Sequence, residues 1–309
     1  MSKQQTQKFK TPFFPLKGFI AVNFLKFLYL LPQKVTLFIT SMVAKLSYTG
    51  SKKNIILTNL KFAYPELTQQ QIELLAEQSV AQSGHQLPEF LTAWFGSKKQ
   101  IENQIANVKN KDILDQLRQE DRSIIVATPH IGNWELLGQW LQINYPMTAL
   151  YSASKIPQID QVILQARSKF GGNHCAADKR GVLNLLRRLK TGDLTLVLPD
   201  QVPKLGSGIY VPFFGKPAYT MTLIHKLVQK TNAQLVFGYC IRQQNGKDFE
   251  INLELPNFGD SEKDVEIFNR SMNEQIEKII KEYPEQYVWD YKRYKRQSDG
   301  SDLYSKIVN

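Results

Sequence analysis

Residues 123–135 read SIIVATPHIGNWE. SIIVAT is a short run rich in β-branched, apolar residues, which suits a strand buried on both faces. From Asn133 to Leu141 the pattern turns helical. A strand that passes through a loop into a helix is the repeating unit of an α/β sheet, and such sheets bind ligands beyond their strand ends. His130 stands in that loop, Gly132 permits a tight turn after it, and Glu135 falls in the first turn of the helix.

The flanking chain continues the pattern. Thr68 and Gln71 have capping-box spacing, and helical character runs from there to Trp94 and Phe95. Met147–Tyr151 and Leu194–Leu198 predict further short strands, and Pro157–Lys169 and Gly181–Lys190 predict helices. Gln234–Ile241 and Phe249–Leu255 alternate in period two, as in a hairpin. Val265, Phe268, Met272, Ile276, Ile279 and Ile280 make the apolar stripe of a helix over 262–282. The expected fold is α/β, a mixed sheet flanked by helices in one catalytic domain over 51–309.

Ahead of it, residues 1–50 predict an N-terminal hydrophobic helical membrane anchor. GFIAVNFLKFLYLL covers 18–31, Lys26 interrupts it, and apolar character resumes from Val35 to Leu46 after Pro32. Neither half supplies the roughly 20 apolar residues of a spanning helix. Basic flanks at Lys8, Lys10, Lys17, Lys34, Lys45, Lys52 and Lys53 suit an interfacial or shallowly inserted segment, with a pair of core helices as the alternative.

Lys and Arg number 39 against 28 Asp and Glu, a net charge of +11. That charge attracts anionic lipid, acidic protein or nucleic acid, but no nucleic-acid-binding motif accompanies it. Cys175 and Cys240 lack metal-ligand or CxxC spacing, which fits a reduced, cytosol-facing location. There is no HExxH, no G-x-S-x-G elbow and no P-loop, so no metal or cofactor is expected.

Of the four histidines, His85, His174 and His225 sit in contexts that read as structural. His130 differs because Glu135 follows it within one loop and one helical turn. A carboxylate on one imidazole nitrogen fixes the tautomer and makes the other nitrogen a stronger base toward an alcohol.

His130-Ile131-Gly132-Asn133-Trp134-Glu135 resembles the H-x4-D/E block of the glycerolipid acyltransferase superfamily, in the form found in the late lauroyl and myristoyl acyltransferases of lipid A biosynthesis. Further blocks resemble that branch in order. They are Asn59-Leu60 with Tyr64-Pro65-Glu66-Leu67, and Arg167 with Phe170-Gly171-Gly172. Pro199-Asp200-Gln201 follows with Val211-Pro212-Phe213-Phe214-Gly215, and last comes Tyr287-Val288-Trp289 with Lys292-Arg293-Tyr294-Lys295. The likeness runs from about residue 15 to residue 297. Tyr287 stands where the family usually has Trp, and Lys292 where it usually has Arg.

The resemblance implies that His130 deprotonates an acceptor hydroxyl, with Glu135 behind it. The alkoxide then attacks a thioester on acyl carrier protein, with no covalent acyl-enzyme. It implies substrate contacts at Asn133, Arg167, Asp200, Gln201, Phe213 and Phe214, of which Asp200 and Gln201 end a predicted buried strand and so point toward the same sheet edge as His130. Arg167 would bind a phosphate or brace Glu135, and the two phenylalanines would line an acyl channel or pack in the core. The implied acceptor is a lipid A precursor, at the cytoplasmic face of a bacterial inner membrane. Two alternatives stay open: an acyl-CoA-dependent enzyme of another glycolipid or glycerophospholipid, and a non-catalytic protein of the membrane surface. Basic clusters at Lys179, Arg180, Arg187, Arg188 and Lys190, and at Lys292, Arg293, Lys295 and Arg296, are rival docking surfaces for the carrier.

Overall fold

A computed structural model describes residues 16–154, 156–244, 246, 248–258, 263–301, 303 and 304. The basic positions Lys8 and Lys10 of the expected anchor lie outside the described residues. Four helices come first: α1 (Leu16–Leu30), α2 (Gln33–Ser47), α3 (Gly50–Ala63) and α4 (Gln69–Phe95). Then follow α5 (Lys98–Asn103), β1 (Ile105–Lys109), α6 (Asp112–Gln119), β2 (Ile124–Ala127), α7 (Trp134–Asn144) and β3 (Thr148–Tyr151). Next are α8 (Pro157–Ser168), β4 (Asn173–Ala176), α9 (Lys179–Lys190) and β5 (Leu194–Val197). The chain continues through β6 (Gly208–Phe213), β7 (Lys216–Met221), α10 (Leu223–Thr231), β8 (Gln234–Arg242), β9 (Phe249–Glu254) and α11 (Val265–Glu282).

The main sheet has the order β1-β9-β8-β2-β5. β2 runs parallel to both β5 and β8, while β8 and β9 are antiparallel, so the sheet is mixed as expected. Every residue of β2 is buried, because cores form on both faces. One core takes in Phe268, Met272, Ile276, Ile279 and Ile280 from the predicted stripe of α11. The other packs Leu136, Leu137, Trp140 and Leu141 of α7 against Val126 and Leu194. A parallel bridge between Met147 and Leu194 brings the β3-β4 pair alongside β5.

The capping box forms as the sequence predicts: Thr68 accepts from the Gln71 N–H, and Gln71 reaches back to Thr68. α4 is tied to the sheet by a buried ion pair between Glu89 and Arg242, to which Gln82 adds a hydrogen bond.

The helices α1 and α2 break at Pro32, where the sequence places the interruption, and Thr36 Oγ1 donates to Leu28 O across the break at 3.0 Å. Both pack against α4, and α1 also touches α8. Among the described residues no helix is long and apolar enough to cross a membrane.

The β6-β7 hairpin decides between the two readings of Phe213 and Phe214 in favour of core packing. Phe214 (φ 46°) and Gly215 (φ 69°) form its two-residue turn, with positive φ at both positions, as a right-twisted hairpin requires. Phe213 and Phe214 turn into the core and stack there, on Tyr294 and Trp289 respectively.

Candidate active site

The parallel register Ala127–Val197 sets the tips of β2 and β5 side by side. Thr128 N–H extends that pairing to Val197 O at 3.0 Å. The residues that follow each strand therefore meet at the sheet edge: His130 after β2, Asp200 and Gln201 after β5. His130 Nδ1 lies 2.6 Å from Asp200 Oδ1, and the His130 main-chain N–H donates to Asp200 Oδ2 at 2.9 Å. Gln201 Nε2 lies 3.1 Å from His130 Nε2. Trp134 meets the imidazole edge to face, with ring centroids 5.0 Å apart.

Asp200 is buried. Burial alone pushes its carboxyl up, but the His130 imidazole and main-chain N–H, with Arg293 behind, outweigh burial and hold it below the usual carboxylate range. An ionised Asp200 takes the Nδ1–H and leaves the Nε2 lone pair as the base. The Gln201 amide covers that lone pair.

Gly132 has φ 53° and lies so close to the Cys240 carbonyl that no side chain fits. The sequence anticipates that turn. Glu135 is placed differently from expectation. It is not the carboxylate on His130. It forms a two-pronged ion pair with Arg167 of α8, with Nε to Oε2 at 3.2 Å and Nη2 on Oε1. The first turn of α7 aims Glu135 along the helix toward α8, while Asp200 takes the imidazole. Of the two roles open to Arg167, bracing Glu135 is present. Asn133 also differs from expectation: it is fully buried, and its Oδ1 caps α7 by accepting from Leu136 N at 2.9 Å.

A second loop system fixes the first. Gly132 N–H donates to Gln286 O and Val288 N–H to His130 O, both at 3.1 Å, and Ile131 bridges Tyr287. Tyr291 Oη accepts from Val202 N–H at 2.9 Å, and Asn59 holds the carbonyls of Trp289 and Tyr291. The segment 286–293 is thus a strap over both halves of the site. Tyr287 is a buried part of it, whereas Lys292 sits over the Tyr304 ring.

Burial also shifts other titratable groups. Burial and the neighbouring Arg167 push His174 down to about 4, and burial with Arg242 does the same to His85. Burial raises the Cys240 thiol well above its ordinary value. A cavity of about 390 Å³ opens at His130 and is lined also by Trp134, Glu135, Arg167 and Gln201. Phe213, Phe214 and Asn133 do not line it. The site is therefore a partly open imidazole base, backed by a buried carboxylate, at the mouth of a slot with a charged wall.

The family model for bacterial lipid A biosynthesis acyltransferases matches residues 3–296. A lipid A biosynthesis acyltransferase of Haemophilus influenzae is 26% identical over 250 residues, covering 80% of this chain and 77% of its own. A lipid A biosynthesis lauroyltransferase of Escherichia coli is 25% identical over 256 residues, covering 82% and 83%. A palmitoleoyltransferase of lipid A biosynthesis from the same organism is 23% identical over 282 residues, covering 89% and 90%. With a match over nearly its whole length and a histidine base at the strand tips, this chain belongs to the bacterial lipid A biosynthesis acyltransferase family.

Proposed function

We propose that this chain transfers a fatty acyl group from a thioester on acyl carrier protein to a hydroxyl of a lipid A precursor. It does so at the cytoplasmic face of a bacterial inner membrane. The observation that carries the reading is His130, held on Nδ1 by Asp200 and presenting Nε2 at the slot.

The acceptor hydroxyl displaces the Gln201 amide and gives its proton to His130 Nε2. Its oxygen bonds to the thioester carbonyl carbon, and the carbon–sulfur bond breaks. The departing thiolate takes the proton back from the imidazolium, so ester and thiol are formed and the base is restored. Glu135 and Arg167 form a charged wall of the same slot. About a third of the Arg167 side chain is open (34%), which leaves donors for an acceptor phosphate.

The anchor reading rests on α1 and α2. Phe19, Ile20, Phe24, Phe27, Phe38 and Met42 are exposed on them, with Lys17, Lys26, Lys34 and Lys45 around. Exposed aromatics ringed by lysines suit a helical pair lying in the headgroup region rather than spanning the bilayer. The carrier reading rests on α9, where Arg180, Arg187 and Lys190 are exposed while Leu185 and Leu189 face the core. The rival C-terminal cluster is engaged internally: Arg293 is buried on Tyr219 O and Thr220 Oγ1, and Arg296 donates to Pro203 O.

Mass spectrometry of lipid A from cells with and without the protein tests the reading, together with transfer by the purified enzyme from acylated carrier. A gain of one acyl chain per acceptor is expected. Unchanged lipid A and no transfer in vitro would overturn it.

A further inference from the structure

The slot at His130 follows one face of α7. Trp134, Glu135, Gly138, Gln139 and Gln142 line it, at positions i, i+1, i+4, i+5 and i+8. At about 1.5 Å rise per residue, that face carries the slot roughly 12 Å down the helix from Trp134 to Gln142. The opposite wall has the same direction. Leu198 lies just beyond the tip of β5 on the His130 side, and Leu196 lies one pleat deeper. Met147, bridged to Leu194 at the start of β5, lies deepest.

The deep end is closed by amides that have partners. Gln142 Nε2 donates to Gln139 Oε1 at 2.9 Å, and Gln139 Nε2 donates to Ala166 O at 3.1 Å. Gln142 Oε1 accepts from Phe170 N–H at 3.2 Å. A chain that pushed past them would strand buried polar groups, so the floor resists displacement. Halfway down, at Gly138, the helix presents no side chain. A Cβ there would meet only Leu196 Cδ2, at 3.5 Å, and otherwise would enter the slot.

We propose that Gly138 determines the length of acyl chain this enzyme accepts, by leaving the slot open from Leu196 down to Met147. The inference rests on the acyl-transfer reading of the His130 slot. A side chain at position 138 stops an extended chain about one helical turn below Trp134. Removing bulk at Met147 extends the floor.

The test compares decanoyl, lauroyl, myristoyl and palmitoyl carrier donors with the purified wild type, Gly138→Ala, Gly138→Leu and Met147→Ala. Alanine is a better helix former than glycine, so Gly138→Ala keeps α7 intact. The readout is the ratio of kcat/KM between long and short donors, which overall damage to the enzyme does not move. Gly138→Leu is expected to lower the palmitoyl-to-decanoyl ratio by about tenfold or more, the size of effect a misfit methylene or two produces in an apolar pocket. Gly138→Ala should shift it in the same direction, and Met147→Ala in the opposite one. Should Gly138→Leu fail to fold, Leu196→Phe narrows the same level from the other wall. Wild-type transfer with ratios unchanged in all variants overturns the role of Gly138 alone. Absence of wild-type transfer from every donor overturns the acyl-transfer reading beneath it.

Discussion

His130 Nδ1 sits 2.6 Å from Asp200 Oδ1, and the other oxygen of the same carboxylate holds the His130 main-chain N–H. One side chain thus fixes both the ring and the backbone of the base. Asp200→Asn keeps the shape but can present an N–H where Nδ1–H points, favouring the wrong tautomer. Activity is expected to fall by about 10²–10⁴-fold, as for His130→Ala. Single-turnover transfer assays check both, and near-wild-type turnover in Asp200→Asn would show that the pair does not orient the base.

The same carboxylate makes stability depend on pH. Folding lowers its affinity for protons, so between the ordinary carboxylate range and its lower folded value the unfolded chain binds more protons. Its contribution is complete above the ordinary range and is lost as pH falls through the folded value. Urea midpoints measured across acid pH should drop less steeply in Asp200→Asn than in the wild type.

Glu135 has a different partner and so a different signature. Arg167→Ala leaves a buried carboxylate without its two donors, a loss of about 1–3 kcal/mol in stability together with activity. Arg167→Lys recovers little, because an ammonium cannot reproduce the two-pronged contact. Denaturation and kinetics of Arg167→Ala, Glu135→Gln and the double variant give the coupling. Additive effects would mean that the two act independently.

Membrane seating is tested without deleting α1, since its removal would uncover α4 and α8. Phe19→Asp, Phe24→Asp and Phe38→Asp, combined, are expected to release most of the protein from anionic vesicles in high salt, where lysine attraction is screened. Equal co-sedimentation of variant and wild type would place the contact elsewhere.

Reversing Arg180, Arg187 and Lys190 to Glu is expected to raise KM for the acylated carrier severalfold, with KM for the lipid acceptor little changed, and to weaken the salt dependence of the donor step. If acyl-CoA proves the better donor at equal concentration, the carrier reading is overturned.

Local chemistry was legible in the sequence; distant pairing was not. The Thr68 capping box, the stripe of α11 and the strand–loop–helix around His130 follow from spacing within a few residues, where steric periodicity speaks directly. The partner of His130 does not. Glu135 is near in sequence, yet the first turn of α7 aims it at Arg167. Asp200 was legible as a neighbour at the same sheet edge, but its direct contact with the ring comes from the parallel register of β2 and β5. Residues 105–109 lack clean alternation because β1 is an edge strand whose register shifts between Ile105 and Asn107, leaving Ile105 and Val108 half-buried and the others exposed. For Phe213 and Phe214 the sequence leaves lining and core packing open, because the positive φ at Phe214 that makes the hairpin turn is not written in residue type.

The segment from Gln286 to Arg293 clasps the His130 loop by its main chain and the Asp200 loop through Tyr291. During synthesis it leaves the ribosome long after α1, α2 and the His130 loop. A nascent chain therefore holds its His130 loop unclasped until that segment has emerged. The site therefore takes its final shape only once the clasp has closed over both loops.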